Sequence, residues 1–484
     1  MKKLIVKAII VFGVLLLLLP VMIRVFNGMP LMPGSESYGH ARMAGIIAQS
    51  GIPKYDPAMP ERRYVPNAFD ILLAGFAKLL GIEAAAMLLP LVLGVLSVLC
   101  FYAVLKRWQL PLLTVLSIMV VFVISPFFVS TFTQAISRSL ELFLFILLFL
   151  LVSPPKGKRS ADADILFVII AVFVAALLSS FGIIPALAAF ALPMLLRTVS
   201  KRIPASMLAS SLAAFIVLVV VALPQFLQQE QAPFGKPVFV VQAISDFGGT
   251  SGLSLFAWLL ALMGFVLLWQ FKKKYYAAMI AMGITLVVSL ITPSALPAAH
   301  LLTAFLAGNT LAFLAGRKWA FDDMRVLTVF VIVCGLLFST LTQGIFLARG
   351  PPTKEIKDAA VAIKSLLPGK TILLSHPNNG FWLEYWSGRQ AYLDDWPSLT
   401  PGIATRWAVA QAVWHSQDIT NARALLYKHK IGALVITGDM KDGLVWDLPE
   451  QDLLFLLRNN ETFKNVYHSA LVDIWAVIPP KKPE

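Results

Sequence analysis

Three ionisable side chains stand close together early in the chain: Glu36, His40 and Arg42, within Ser35-Glu36-Ser37-Tyr38-Gly39-His40-Ala41-Arg42. They follow Met29-Pro30 and Gly34, so a helix is expected to begin at Ser35 or Ser37 and to run to Ser50. A carboxylate in a first helical turn is favoured by the macrodipole whether or not it does anything else. The imidazole can bind a metal and the guanidinium can grip a phosphate. A further acid, Glu141, opens an apolar run in Ser137-Arg138-Ser139-Leu140-Glu141-Leu142-Phe143. An ionisable group there is expensive unless it faces a polar cavity. The alternative is a pair with Arg138, three residues earlier and within reach on a helix.

The elements that must position these residues are membrane helices. The chain of 484 residues is 58% hydrophobic and only 14% charged, with a mean hydropathy of +0.79. Soluble domains run about 45–50% apolar and about 25% charged, so a water-soluble protein is excluded. Disorder and a disulfide scaffold fall as well, given that hydrophobicity and only 2 Cys. A helical span needs roughly 20 mostly apolar residues. Eleven runs approach that length: 4–25, 84–105, 110–132, 139–152, 164–180, 183–196, 206–226, 252–271, 275–291, 296–316 and 326–346. Two of them, 139–152 and 183–196, are short enough to be tilted or re-entrant.

Basic residues orient these spans. Lys2, Lys3 and Lys7 open the first. Lys106-Arg107, Lys156/Lys158/Arg159, Arg197/Lys201/Arg202, Lys272-Lys273-Lys274 and Arg317/Lys318/Arg325 then fall in alternate connections. The N-terminus is therefore expected in the cytoplasm and the C-terminus outside. The first span is read as uncleaved, because Arg24 and Phe26 stand where a signal peptidase needs small residues. The formal charge of +14 has the same origin: +13 of it lies in residues 1–346 and +1 in residues 347–484. That distribution is a topology signal and excludes a nucleic-acid partner.

The fold class expected is mainly α: a polytopic membrane protein of about 11 transmembrane helices, residues 1–346, with a long first external loop at 26–83. An amphipathic helix at 66–80 is expected along the interface in that loop, with Phe69, Leu72, Leu73, Phe76, Leu79 and Leu80 at helical spacing. Residues 347–484 change to an alternating pattern and are expected to form a soluble extracytoplasmic α/β domain. Its helices are placed at 354–367, 403–413, 420–429 and 449–458, and its strands at 371–374, 433–437, 466–467 and 471–478. Trp382 and Trp386 read either as core or as a sugar-stacking pair.

The segment Glu36-Ser37-Tyr38-Gly39-His40-Ala41-Arg42 resembles the Asp-x-Tyr-Tyr-His-x-Arg stretch in the first external loop of GT-C membrane glycosyltransferases, above all the catalytic subunit of archaeal oligosaccharyltransferases. Gly51-Ile52-Pro53-Lys54-Tyr55-Asp56 and Arg63-Tyr64-Val65-Pro66 fit the same loop. Asn379-Gly380-Phe381-Trp382-Leu383-Glu384-Tyr385-Trp386-Ser387-Gly388-Arg389 resembles the stretch behind that subunit's acceptor-binding Trp-Trp-Asp-Tyr-Gly motif. The resemblance implies a GT-C fold and a divalent metal, Mg2+ or Mn2+, on Glu36, on Glu141 at the place of a second acidic motif, and on Asp246 in Ala243-Ile244-Ser245-Asp246. A hard cation with oxygen ligands neutralises a departing phosphate. Arg42, Arg138 and His300 are then candidates for the donor phosphate, with helix packing the alternative for His300; Tyr38 and His40 complete the first-loop motif.

The departures bear on the acceptor. Where the Trp-Trp-Asp motif belongs, the chain reads His376-Pro377-Asn378-Asn379-Gly380. Eleven spans also stand nearer to protein mannosyltransferases than to the archaeal subunit. The resemblance implies transfer of a sugar or oligosaccharide from a polyprenyl-phosphate carrier to a protein or glycan acceptor outside the cell membrane. The rival is a transporter or lipid-linked-sugar flippase, which places ionisable residues and broken helices near the bilayer midplane. The acids here gather at the outer boundary instead.

Overall fold

The computed structural model describes residues 2–153, 161–199, 205–223, 239–249 and 251–479. Lys156, Lys158, Arg159, Lys201 and Arg202 of the basic alternation lie outside them. The helical part begins with α1 (Lys2–Phe26), α2 (Ser35–Ser50), α3 (Ala68–Leu80) and α4 (Ile82–Arg107). It continues through α5 (Leu112–Val123), α6 (Pro126–Thr133), α7 (Ser137–Val152), α8 (Ala161–Ser179), α9 (Ile183–Val199), α10 (Ala205–Val217) and the short α11 (Phe239–Ala243). It ends with α12 (Leu255–Leu268), α13 (Lys272–Ile291), α14 (Leu296–Gly316) and α15 (Asp322–Arg349).

Leu4–Phe26, Ile82–Arg107, Pro293–Gly316 and the segment Asp322–Leu366 are long and apolar enough to cross a membrane, and a fifth span follows if α5 and α6 count as one. Several of the remaining runs, among them Ile165–Ser179 and Leu255–Phe271, are shorter apolar helices. The run 110–132 is not one helix: α5 and α6 meet at 55°. Pro126 lacks an N–H and forces Ser125 out of the helical region. Ser125 is accordingly extended, at φ −129 and ψ 129.

Beyond α15 come α16 (Lys354–Leu366), β1 (Ile372–Leu374), α17 (Gly380–Ser387), α18 (Ile403–Trp414), α19 (Ile419–Lys428), β2 (Ile431–Thr437), α20 (Leu453–Leu456), β3 (Phe463–His468) and β4 (Val472–Val477). The four strands form one sheet in the order β1-β2-β4-β3; β1 and β2 are parallel, the other pairs antiparallel. β2 is apolar and almost wholly buried, as a central strand covered on both faces must be. α16 starts on Thr353, whose hydroxyl accepts from the Ile356 N–H, and buries Ile356, Ala359, Ala360 and Ile363. The helix α17 was not foreseen, because its aromatic run gives no clean helical period. Trp382 and Trp386 on it are buried and take the core alternative.

One side chain joins the beginning of the helical part to its end. Arg24, fully buried near the end of α1, donates to the carbonyls of Leu347 (3.1 Å), Gly350 (2.8 Å), Pro352 (2.7 Å) and Pro30 (2.5 Å). The last carbonyls of a helix have no partner within it, and this guanidinium supplies one at the end of α15. Arg24→Met should lower stability by at least about 1–3 kcal/mol, the cost of stranding buried acceptors. Arg24→Lys should recover only part of it, since an ammonium cannot span the same fan of carbonyls. Thermal midpoints in detergent, read by size-exclusion chromatography, check this; an unchanged midpoint for Arg24→Met would refute it.

Candidate active cleft

α2 places Glu36 and His40 one turn apart on the same face. The Glu36 carboxylate, 31% exposed, lies 3.6 Å from His40 Nε2 and 3.5 Å from the guanidinium of Arg138 at the start of α7. Behind it, His40 Nδ1 meets Asp70 Oδ1 at 2.6 Å, and Tyr64 donates its hydroxyl to Asp70 Oδ2 at 2.6 Å. Asp70 is on α3, so the two helices of the first loop are joined through His40. The indole of Trp396 stands 5.4 Å from the imidazole. Glu36, His40, Tyr64, Asp70 and Trp396, with Arg62, Arg63 and Ser137, line a cleft of about 140 Å³, and Arg138 stands beside it on Glu36.

Charge follows from this geometry. Burial alone disfavours a charged His40, but the Asp70 carboxylate and then Glu36 push its pKa up to about 10. Loss of solvent works to raise Glu36 too, yet the adjacent His40 and the charge of Arg138 hold its carboxyl down to about 2. At neutral pH the centre is an ionised carboxylate between two cations. An imidazolium has no lone pair to give, so His40 would have to lose its proton to ligate a metal. Asp395, an exposed residue, lies in the field of Glu36 and Asp394, which works to raise its carboxyl pKa.

Arg42 turns to the other side of α2. It grips Asp56 with both terminal nitrogens, at 2.6 and 2.7 Å, and lies 3.1 Å from Glu384 of α17. Arg62 bonds the same Asp56 at 2.5 Å and Asp394 of the outer part at 2.5 Å. All five side chains are buried or nearly so. Arg42 is thus consumed in a charge cluster and does not open to the cleft, contrary to the phosphate-binding expectation. Sequence reasoning missed Arg62, Glu384, Asp394, Asp395 and Trp396. The Arg62-Arg63 and Asp394-Asp395 doublets, in a chain so poor in charge, were the available signals.

The remaining expected residues are spread out. Tyr38 is buried, donates to the Met32 carbonyl at 3.0 Å and packs against Trp386 at 4.7 Å. Glu141 is buried on α7, with Oε1 lacking a hydrogen-bond partner among the described residues. Arg138 turns from it to Glu36 and to the Ser251 hydroxyl at 2.9 Å. His300 is buried on α14 against Ser125 and stacks on Phe122 at 4.9 Å. Asp246 spends both oxygens elsewhere, on the Leu255 N–H at 2.6 Å and the Ser339 hydroxyl at 2.5 Å. Among the described residues no three His, Cys, Asp or Glu come together as a metal would require. The expected Mg2+ or Mn2+ therefore does not fit this donor set: Glu36 already has two cationic partners, and Glu141 and Asp246 are not gathered with it.

No family model matches this sequence, and no curated protein matches it. The fold has solved counterparts. The apo oligosaccharyltransferase of Archaeoglobus fulgidus superposes with a TM-score of 0.63 at 12% identity, over 95% of this chain and 73% of that one. ArnT from Cupriavidus metallidurans, bound to undecaprenyl phosphate, gives 0.56 at 12% identity, over 98% of this chain and 99% of that one. The mycobacterial arabinofuranosyltransferase AftD gives 0.55 at 12% identity, over 98% of this chain and 40% of that one. The archaeal enzyme is also solved with an inhibitory peptide and dolichol-phosphate, and with zinc and sulfate. All three neighbours are GT-C glycosyltransferases, and at these identities the likeness establishes the GT-C fold.

The charge on His40 gives the cleft a pH signature. Its folded pKa of about 10 lies above the ordinary 6.5. The stability it contributes is full below about pH 6.5 and is lost as pH rises through about 10. The melting midpoint of the wild type should therefore fall between those limits, and His40→Gln should flatten that part of the profile. A wild-type slope that survives in His40→Gln would assign it to another group.

Proposed function

We propose that this chain is a membrane glycosyltransferase, moving a sugar or oligosaccharide from a polyprenyl-phosphate-linked donor to an acceptor on the outer face of the cell membrane. One observation carries the reading: an ionised, partly open carboxylate, Glu36, sits between Arg138 and an imidazolium in a cleft under the outer α/β part, within a GT-C fold. Two of the structural neighbours were solved with dolichol-phosphate or undecaprenyl phosphate, which supports the donor class.

Transfer breaks the bond from the anomeric carbon to the phosphate oxygen and forms one to the acceptor atom, whose proton must leave. Glu36 takes a hydrogen bond from the acceptor group and aims it. Arg138, beside Glu36, is the cation available to the departing phosphate. As the phosphate draws Arg138 away, Glu36 loses one of the charges that depress its pKa and becomes a better proton acceptor. His40, held charged by Asp70, positions Glu36 without touching substrate. Glu141, one turn further along α7, is kept as a second acid that a polar group of the bound substrates would meet. A divalent metal, which the resemblance implies, would stabilise the leaving group when bound; the donor set here does not fit one. The acceptor is read as something other than an Asn-x-Ser/Thr peptide, since the tryptophans and aspartate of that motif are replaced and Asn379 is spent on Ser375 and Thr437.

The reading also proposes eleven spans, residues 1–346 as the membrane domain and 347–484 as an extracytoplasmic one. Reporter fusions after Lys273 and Lys318 should then register cytoplasm, and fusions past Gly350 the outside. A cytoplasmic signal from the outer part would sink the proposal, because the cleft and that part share a face.

The chemical test is transfer from a lipid-linked donor in membranes with matched protein levels. Glu36→Gln keeps the side chain's size and removes its charge, and should cost about 10²–10⁴-fold in rate; Glu141→Gln should also impair transfer. A chelator should leave wild-type transfer intact, and a sequon peptide should not be glycosylated. Full transfer by Glu36→Gln would remove Glu36 from the reacting centre. Loss on chelation, restored by Mg2+ or Mn2+, would show that a metal site forms after all.

A further inference from the structure

α12 and α13 are joined by only three residues, Trp269–Phe271, yet they do not continue as a packed hairpin. α12 packs on α14 and α15, while α13 packs on α9, α11 and α14. The wedge between them is an apolar groove of about 590 Å³, within the roughly 300–1,000 Å³ of small-molecule sites. Phe265 of α12 and Met279, Ile280, Ile284 and Val287 of α13 wall it. Gly283 keeps it open: a Cβ there would find only the Phe265 ring, 3.8 Å away.

One end of the groove is of a different kind. Lys272 and Lys273 are exposed and line its mouth together with Trp269 and Tyr276. The Lys272 ammonium stands 5.0 Å from the Trp269 ring centroid. No Asp or Glu occurs between Asp246 and Asp322, so the neighbouring chain offers these lysines no acid. Paired aromatics and lysines at a helix end mark the level of lipid headgroups. The groove shares no residue with the Glu36 cleft.

An apolar slot closed by two uncompensated cations fits an amphiphile with a hydrocarbon chain and an anionic head. We propose that this groove binds an anionic glycerophospholipid, its chain against Phe265 and Ile284 and its phosphate on Lys272 and Lys273. Anionic lipids are the abundant ligands of that chemistry on the basic side of a membrane, where each nearby lysine is worth about a fivefold gain in binding. A free phosphate would use the lysines but leave the apolar wall unfilled.

The test uses the purified full-length protein in phosphatidylcholine nanodiscs, with brominated phosphatidylglycerol or brominated phosphatidylcholine as quencher. The signal is the part of the tryptophan fluorescence that disappears in Trp269→Phe. Brominated phosphatidylglycerol should quench it at a mole fraction at least about fivefold lower than brominated phosphatidylcholine. Lys272→Gln combined with Lys273→Gln should erase the difference, and Gly283→Leu, which fills the slot and spares the charges, should weaken quenching by both lipids. Millimolar inorganic phosphate should change nothing. Equal quenching by the two lipids in the wild type would mean an ordinary lipid boundary and overturn the site. So would a preference that survives the double lysine variant, displacement by inorganic phosphate alone, or tighter displacement by undecaprenyl phosphate, which would make it a carrier site.

Discussion

Two arginines and three carboxylates, buried together between the segment joining α1 to α4 and the α/β part beyond α15, hold the geometry on which the rest depends. Arg42 and Arg62 share Asp56, and each reaches one acid from beyond residue 347, Glu384 and Asp394 respectively. A buried pair of this kind adds little net stability over a well-packed apolar contact. Removing one member, however, strands the others at about 3–5 kcal/mol. The cluster therefore acts as a register device. With two cations against three acids, one carboxylate is held less firmly: burial raises Glu384 to about 7, against the pull of Arg42.

The consequence runs along α2. With about 3.6 residues per turn, Arg42 points away from the face that carries Glu36 and His40. One face of the helix is fixed to the outer part, and the other is thereby presented to the cleft. Gly39 lets α2 come close to the aromatic wall of α17: a Cβ there would lie 3.0 Å from the Phe381 ring. Phe381 in turn packs on Trp396 at 4.7 Å, and Trp396 on His40. The outer part thus forms a wall of the cleft as well as covering the helices. Arg24 reinforces the junction from below by tying α1 to the chain leaving α15.

Much of this was legible in the sequence, and what was not has a physical cause. The start of α2 at Ser35, the whole of α14 and the amphipathic α3 follow from caps, prolines and apolar period, which are local signals. The break at Ser125 was missed because apolarity continues across it; only Pro126 marks it. Glu36 was found because a first-turn acid with His40 and Arg42 is conspicuous in a chain so poor in charge. Asp70 interrupts the apolar positions of α3 and gives no signal of its own, yet it is 1% exposed and bonds His40. That role depends on a contact thirty residues away, which no window of sequence contains. The partners of Arg42 were hidden for the same reason, since its acids are Asp56 and Glu384, the latter from the far end of the chain.

The dressing of Glu36 constrains the chemistry the cleft can perform. A carboxylate that holds a divalent cation must offer it an oxygen, alongside water, substrate phosphate or a further acid. Here the nearest groups are an arginine and an imidazolium, and that imidazolium is kept charged by a buried aspartate that itself takes a hydrogen bond from Tyr64. Two cations, the imidazolium of His40 and the quarter-exposed guanidinium of Arg138, bring positive charge to the cleft. An anionic ligand entering beside Arg138 competes with Glu36 for it. The same event that neutralises the ligand thus unmasks the carboxylate. Under the proposed function, phosphate recognition and activation of the acid are in that way coupled through one guanidinium, within a cleft whose walls are fixed by the buried charges of Arg42 and Arg62.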